Sequence, residues 1–273
     1  LGAAYTLSKG IHIRADFLLL CMNQIINMAA KIRYMSSGEH CVPLVVRAAI
    51  GRSWGQGSQH SQSFHSQFAN IPGLRVLTPS TPQDAFNVYD NVFNDGVPTI
   101  IIEHRMLYGV ESKIKITNRL PTTTQLDFGD DLTICSVSHM TLESQKAINS
   151  LKELNLSCDH FSLVDHSNLN LEKLFESANK TGKLLVVDHG WLNCSIGSTI
   201  IEKIHRNKFK GEFNLLGYAN SPCPTAKSLE NLFYPSANSI LIEALSLLVS
   251  FFLLMSPSIN FFCFLIAFSS CFF

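Results

Sequence analysis

Short apolar runs separated by helical stretches dominate the first part of the chain. The runs VPLVVRAAI (42–50), LRVLTP (74–79) and PTIIIEH (98–104) are rich in β-branched residues and do not alternate with polar positions. Such runs are typical of parallel strands that are buried on both faces of a sheet. Helical stretches at 15–35 and 81–95 lie before and between them, so the pattern predicts right-handed crossovers and a parallel sheet.

The stretch that begins at Thr81 carries a helix start signal. Thr81 is predicted to be the N-cap, Pro82 the first helical residue and Asp84 the third. A threonine cap with an acidic residue three positions later is a capping box, and proline is favoured at the first helical position. We therefore expect a helix that begins at residue 82.

A second strand and helix series follows residues 111–126. That segment, ESKIKITNRLPTTTQL, shows neither the apolar runs nor the helical stretches described above. It is predicted to be a linker with at most one short strand. The sequence therefore predicts an α/β fold with two domains, residues 1–110 and 127–244, of which the first is incomplete at its N-terminus. The second domain has predicted strands at 131–138, 158–165, 183–190 and 213–219 and predicted helices at 142–155, 169–179 and 196–205.

Both ends of the chain are unusual. The chain starts with Leu1, and its first residues resemble the interior of a folded unit, so we expect a truncated sequence. Residues 245–273 form an apolar tail without a charged residue, long enough to span a membrane, which takes about 20 residues. SPSIN splits this tail and no Lys or Arg flanks it, so a sequence artefact is favoured over a membrane anchor.

Composition excludes some classes of function. Lys and Arg together number 21, as do Asp and Glu, so the net charge is zero and no basic field favours nucleic acid. The 46% hydrophobic content is sufficient for real cores. The eight cysteines show neither a CxxC pair nor zinc-ligand spacing, as expected of reduced, mostly buried thiols.

A glycine-rich loop with two histidines follows the strand at 42–50. Ligands bind at the carboxyl edge of open parallel sheets, so this position favours function. Gly51, Gly55 and Gly57 allow tight turns, but the pattern is neither GxGxxG nor a phosphate-binding P-loop. His60 is the candidate for proton transfer near neutral pH, whereas most isolated loop histidines are solvated or structural.

Longer motifs carry a resemblance to a known family. The segments DFLLLCMNQIINMAAKIRYMSSG, QHSQSFHSQFANIPGL and PTIIIEHRMLYG resemble the beta subunit of thiamine-diphosphate-dependent 2-oxo acid dehydrogenases of the pyruvate dehydrogenase type and its branched-chain relatives. LLVVDHGW, GSTIIEKI and SPCPTAKSLENLFYP resemble the transketolase-like C-terminal domain of the same family. The resemblance covers about residues 1–240 and implies a thiamine-pyrimidine-binding domain followed by a transketolase C-terminal-like domain.

The resemblance implies roles for individual residues. His60 matches the active-site histidine that assists proton transfer and acyl transfer to a lipoyl group. His65, one turn later, is the weaker candidate and is expected on the helix surface. Trp54 and Phe64 are expected to pack on the cofactor, on the partner subunit or in the core. Asp95 matches an acidic position that contributes to a potassium site in some members, and oxygen ligands suit such a hard cation.

The sequence also departs from the family pattern. The glutamate that protonates the cofactor's aminopyrimidine ring would lie before Leu1, so no cofactor-binding residue is assigned in this chain. GIHIRADF (10–17) is shorter than the family's segment, which predicts a lost strand and a damaged sheet. Asn23 stands where the family usually has Asp. These departures imply a chain that cannot activate thiamine by itself.

The implied function is that of a subunit in a heterotetramer. A separate alpha subunit would bind the diphosphate through magnesium, and His60 would help to pass the acyl group, most simply from pyruvate, to a dihydrolipoyl acyltransferase core. The segment LLVVDHGWLNCSIGS (184–198) would contact subunits and core, or its Asp188 and His189 simply end a strand. The implied location is the bacterial cytoplasm or the mitochondrial matrix. Alternatives are another thiamine enzyme, such as a transketolase or deoxyxylulose-phosphate synthase, or a non-catalytic remnant.

Overall fold

The first domain is built on a four-stranded parallel sheet. The computed structural model describes residues 10–52, 55–117 and 119–255 of the chain. The strand order is β1-β2-β4-β3, with helices between the strands as the alternating pattern predicts. The strands are β1 (Gly10–Arg14), β2 (Val45–Ile50), β3 (Arg75–Leu77) and β4 (Thr99–His104), and the helices are α1 (Ala30–Met35), α2 (Gly57–His60), α3 (His65–Ala69) and α4 (Pro82–Asn91).

The segment Gly10–Arg14 forms β1, a full parallel partner of β2. Arg14 lies opposite Ala49 in the register, and Ala15 N donates to the carbonyl of Ala49 at 3.1 Å. The prediction that the shortened segment loses its strand is therefore wrong. Five residues are enough to cover the edge of β2, and the chain that leaves β1 places Asp16 at the carboxyl edge of the sheet.

The long helical run predicted at 15–35 is divided into three kinds of helix. It begins as a 3-10 helix (Phe17–Cys21), continues as a π-helix (Gln24–Ala29) and ends as α1. Leu18 and Ile25 pack in the core of the domain, whereas apolar side chains such as Leu20 and Tyr34 on the same segment are exposed to solvent.

Helix α4 begins as the sequence predicts. Thr81 has an extended backbone and its side chain accepts a hydrogen bond from Asp84 N at 3.0 Å. The Asp84 carboxylate accepts in return from Thr81 N at 3.1 Å, which completes the capping box. The helix therefore begins at Pro82, as expected.

The second domain has a mixed five-stranded sheet in the order β5-β7-β6-β8-β9. Four strands are parallel, and β5 runs antiparallel to β7, so the predicted linker contributes the short edge strand. Helices cover both faces of this sheet. The strands are β5 (Thr123–Asp127), β6 (Leu132–Val137), β7 (Cys158–Leu163), β8 (Lys183–Trp191) and β9 (Glu212–Tyr218), and the helices are α5 (Met140–Glu153), α6 (Glu172–Thr181), α7 (Ile196–Arg206), α8 (Lys227–Phe233) and α9 (Ala237–Met255).

Helix α9 crosses the predicted boundary between the second domain and the apolar tail at residue 244. Ala244, Leu247 and Leu248 are buried with Leu132 and Ile148 in the core of the second domain. The first residues assigned to the tail are thus core residues. By length and composition, one stretch in the described ranges, Lys227–Val249, is apolar enough to cross a membrane, a test that core helices of soluble proteins also pass.

Gly73 allows α1 to approach the chain that enters β3. Its φ is +91°, and a Cβ at this position would lie 2.0 Å from the carbonyl oxygen of Ala30. Gly38 has the same backbone conformation, φ +90°, but no atom lies within 4 Å of the Cβ that would be added there. Substitutions at the two glycines therefore distinguish the cost of a left-handed backbone from the cost of a close contact.

We predict that Gly73→Ala destabilises the chain by more than Gly38→Ala. Gly38→Ala should cost about 1–2 kcal/mol for the left-handed backbone. Gly73→Ala should cost roughly 1–3 kcal/mol more, because backbone atoms must also move apart. Urea unfolding of both variants measures the difference. An equal decrease in the free energy of unfolding for both variants would show that contact with α1 does not constrain Gly73.

Candidate functional site

The loop after β2 is held against the second domain. Gly57 has φ +67°, and a Cβ there would lie 2.8 Å from Thr225 Oγ1. Ser58 Oγ donates to the carbonyl of Cys223 at 3.0 Å, and Tyr234 Oη donates to the carbonyl of Ser61 at 3.4 Å. The second domain thus holds the backbone of the loop at three positions.

His60 ends α2 within this loop and pairs with Asp16. His60 Nδ1 lies 2.6 Å from Asp16 Oδ2, and the side chains are 35% and 13% exposed. The strands that precede the two residues are neighbours, so both residues reach the same carboxyl edge of the sheet. A carboxylate at Nδ1 favours the tautomer with its proton on Nδ1, which leaves the Nε2 lone pair free. In the described part of the chain, Nε2 has no hydrogen-bond partner.

Three further side chains surround this pair, and sequence reasoning assigned a role to none of them. Arg14 Nη2 donates to Gln56 Oε1 at 2.6 Å and to the carbonyl of His60 at 3.4 Å. Arg14 Nε also donates to Asp16 Oδ1 at 3.4 Å, so it fixes the loop and the carboxylate together. The Phe17 ring, 46% exposed, lies 5.9 Å from the His60 ring. The segment GIHIRADF supplies three of the five residues, but only the fold brings them to the loop.

His65 lies between the two domains and not on the helix surface. Its side chain is 1% exposed, with Nε2 2.8 Å from Asp188 Oδ1 and Nδ1 2.8 Å from Ser63 Oγ. The expectation of a surface position is therefore wrong. In the five-residue helix α3, Ala69 packs on the core of the second domain, whereas Phe68 is buried in the core of the first.

Asp188 connects His65 to helix α7. Its Oδ2 accepts from Gly197 N at 2.8 Å, near the helix N-terminus. Burial raises the pKa of the Asp188 carboxyl, but the charge and hydrogen bond of His65 and the Gly197 amide outweigh it, so the pKa lies below its ordinary value. A charged carboxylate with partners in both domains is the expected state at neutral pH.

Of the two alternatives for Asp188 and His189, the structure supports the one in which both residues lie near the end of a strand. They are 0% and 1% exposed and lie within β8. His189 Nδ1 lies 2.8 Å from Tyr218 Oη, and burial lowers the pKa of its imidazole well below the ordinary value. Both residues therefore belong to the interior of this chain.

The other predicted site residues lie apart from His60. Phe64 is 6% exposed and packs in the first-domain core, so the core alternative is confirmed. Asp95 follows α4, where its carboxylate accepts from Val97 N at 3.0 Å and pairs with Arg75 at 2.5 Å. Trp54 lies outside the described residues, as does the segment before Gly10.

Comparisons with known proteins agree with this two-domain architecture. Residues 6–111 match the transketolase pyrimidine-binding domain and residues 123–240 match the transketolase C-terminal domain. The acetoin:2,6-dichlorophenolindophenol oxidoreductase subunit beta of Cupriavidus necator is 32% identical over 84% of this chain and 70% of its own. The pyruvate dehydrogenase E1 component subunit beta of Rickettsia bellii is 30% identical (83% and 71% covered), as is the mitochondrial one of Pisum sativum (89% and 71%).

Solved structures show the same fold at low sequence identity. A structure described as split gene transketolase, inactive beta4 tetramer, has a TM-score of 0.73 at 17% identity and covers 91% of this chain and 80% of its own. Transketolase from Campylobacter jejuni has a TM-score of 0.64 at 13% identity and covers 87% of this chain and 35% of its own. These likenesses establish the fold alone.

We predict that Asp188→Asn strongly destabilises the chain at neutral pH. The Asn side chain has one oxygen in place of two, so it cannot serve both His65 Nε2 and Gly197 N as the carboxylate does. A buried polar group left without its partner costs about 1–3 kcal/mol. The folded-state pKa of Asp188 is below its unfolded value, so its stabilisation is complete above about pH 4 and decreases as the pH falls further. Urea unfolding across this pH range should show the gap between wild type and Asp188→Asn narrowing in acid.

The matched control is Glu202→Gln, which breaks the exposed ion pair between Glu202 and Arg206. It should change the free energy of unfolding by at most about 0.5 kcal/mol. If Asp188→Asn lowers the free energy of unfolding by no more than this control, the contact of Asp188 with His65 does not stabilise the chain beyond an exposed pair.

Proposed function

Because the chain belongs to the family of beta subunits of thiamine-dependent pyruvate and acetoin dehydrogenases, we propose that it is the beta subunit of a 2-oxo acid dehydrogenase that acts on pyruvate. The observation that carries this proposal is the pairing of His60 with Asp16 at the carboxyl edge of the pyrimidine-binding domain. This pairing supplies a proton-transfer group with a defined tautomer at the place where open sheets bind ligands.

The residues around His60 fit a heteroaromatic cofactor. The exposed Phe17 ring offers a flat apolar face, and the imidazole beside it has one nitrogen free in the described ranges. Thiamine diphosphate, when bound, supplies the carbanion chemistry that decarboxylates a 2-oxo acid. In our proposal Phe17 contacts the cofactor and His60 exchanges a proton at Nε2 during acyl transfer to a lipoyl arm. Asp16 holds the ring, and Arg14 fixes Asp16 and the loop.

An alpha subunit is the proposed main partner. The relatives named subunit beta support this, because a beta subunit implies a partner chain that completes the site. An apolar surface on the helical segment after β1 offers a contact area beside His60. Its exposed side chains are Phe17, Leu19, Leu20, Met28, Tyr34 and Met35.

The remaining proposals rest on the family. Magnesium would be held with the diphosphate by the alpha subunit, and a dihydrolipoyl acyltransferase core would supply the lipoyl arm. We also propose Asp95 as a potassium ligand, although Arg75 already neutralises its carboxylate and would have to share it. Bacterial and mitochondrial relatives support a location in the bacterial cytoplasm or the mitochondrial matrix.

The test is co-expression of the full-length chain with the alpha-subunit candidate from the same source. We expect a heterotetramer that releases CO2 from pyruvate only with thiamine diphosphate and that acylates an added lipoyl domain. His60→Ala should leave assembly intact and reduce lipoyl acylation by about 10²-fold or more. Asp16→Asn should also reduce it, because an amide no longer enforces the tautomer with Nε2 free.

His205→Ala is the matched control, since His205 is exposed on α7, far along the chain from the loop. It should retain full activity. An active complex in which His60→Ala and Asp16→Asn both turn over at the wild-type rate would remove the pair from the mechanism. A folded chain that does not bind the alpha subunit would favour another thiamine enzyme or a non-catalytic protein.

A further inference from the structure

Three buried histidines from both domains lie against one another behind the loop of His60. His104 ends β4, His139 follows β6 and His189 lies near the end of β8. They are 1%, 2% and 1% exposed. The His104 and His139 rings stack with centroids 4.4 Å apart, and the His189 ring meets His104 edge-on at 4.7 Å. One ring nitrogen from each residue lies within 4.8 Å of the other two.

Two of these imidazoles have unsatisfied nitrogens. His104 Nε2 and His139 Nδ1 are fully buried and have no hydrogen-bond partner in the described ranges. A buried polar group left without a partner costs about 1–3 kcal/mol, so two at one point require an explanation. A ligand bound between the rings would satisfy both.

We propose that His104, His139 and His189 form a binding site for a divalent transition-metal ion of the zinc type. Imidazole nitrogen suits Zn²⁺, Co²⁺, Ni²⁺ and Cu²⁺, whereas Mg²⁺ and Ca²⁺ prefer oxygen ligands. Tetrahedral zinc with bonds of about 2.0–2.1 Å requires ligand nitrogens roughly 3.3 Å apart. Ring movements of about 1 Å are therefore sufficient to close the site, with a water molecule as the fourth ligand. The site is separate from the magnesium and potassium of the proposed function.

The contacts around the three rings suit this role. Metal-bound histidines are usually oriented by a hydrogen bond or a carboxylate on the far side of the ring. Tyr218 Oη lies 2.8 Å from His189 Nδ1 and 3.2 Å from His189 Nε2, so it can hold whichever nitrogen faces away from the ion. Glu143 Oε1 lies 3.9 Å from His139 Nε2. Glu143 is itself fixed by Lys146 at 2.7 Å and by Ala237 N at 3.0 Å. The carboxylate also offsets part of the charge of a bound cation.

Two groups oppose a bound ion: one lies in the 3-10 helix Arg105–Leu107 and the other in the loop after β2. Met106 N donates to His104 Nδ1 at 3.2 Å, so binding at Nε2 requires this bond to break and the ring proton to move to Nδ1. The Arg52 guanidinium, over the Tyr234 ring at 5.3 Å, adds positive charge near the cluster. Because Met106 is 45% exposed and lies outside the sheets, its turn can shift without disturbing a strand.

The test uses the full-length chain, freed of metal with a chelator and then titrated with Co²⁺ and Zn²⁺. We expect about one equivalent bound, tetrahedral Co²⁺ absorption without a thiolate band, and a rise in Tm of about 5–10 °C at a hundredfold excess over Kd. His139→Gln should weaken binding at least about tenfold, because it removes one of three protein ligands. His160→Gln is the matched control, because His160 is also buried in the second domain but binds Ser136.

Zinc X-ray absorption on the wild-type protein provides a measurement that needs no variant to fold. Three imidazole nitrogens at about 2.0 Å from the zinc ion would support the site, whereas sulfur ligands would contradict it. No binding by the wild-type chain would overturn the proposal. So would equal binding by wild type and His139→Gln, because the ion would then lie elsewhere. These results do not depend on pyruvate turnover, so the metal site can be contradicted without contradicting the proposed function, and the reverse.

Discussion

The buried hydrogen bond between His65 and Asp188 is the contact on which the arrangement of the two domains depends. It joins helix α3 of the first domain to β8 and to the start of α7 in the second. Such a pair is stable only when its remaining polar atoms are also satisfied, and Ser63 and the Gly197 amide do this. The geometry of both side chains therefore fixes how the second domain sits against the segment that follows the His60 loop.

The proposed active site uses both domains in different ways. The first domain supplies the chemical groups, because β1 and β2 bring Asp16 and His60 to one edge. The second domain supplies support, since Cys223 and Tyr234 hold the loop backbone. A loop fixed from behind retains a half-exposed imidazole in one orientation, which is the requirement for proton transfer to a bound group. This division of roles explains why the site residues are not contiguous in the sequence.

Much of the fold was predictable because its signals are local. The apolar runs located seven of the nine strands in the described residues to within a few positions, and the Thr81 cap gave the start of α4. The strand Gly10–Arg14 was missed because it has only five residues and its pairing with β2 is a tertiary property. Helix α9 was missed because an apolar run without periodicity does not distinguish a core helix from an unrelated tail.

The candidate site was predictable only in part. The resemblance pointed to His60, but the partners of a histidine are set by contacts distant in sequence, such as Asp16, 44 positions away. His65 was expected on the helix surface because it lies one turn after His60, whereas its partner Asp188 lies 123 positions further along the chain. The cluster of His104, His139 and His189 gave no spacing signal, because it is assembled from the ends of three separate strands.

We infer that Asp16 holds His60 with its proton on Nδ1 and its Nε2 lone pair free. Long-range ¹H–¹⁵N NMR of the histidine side chains tests this directly, with the His60 signals assigned by their loss in His60→Gln. At mildly alkaline pH we expect the Nδ1-protonated tautomer for His60 in wild type and a mixture of tautomers in Asp16→Asn. A His60 ring protonated on Nε2 in the wild-type chain would contradict the account.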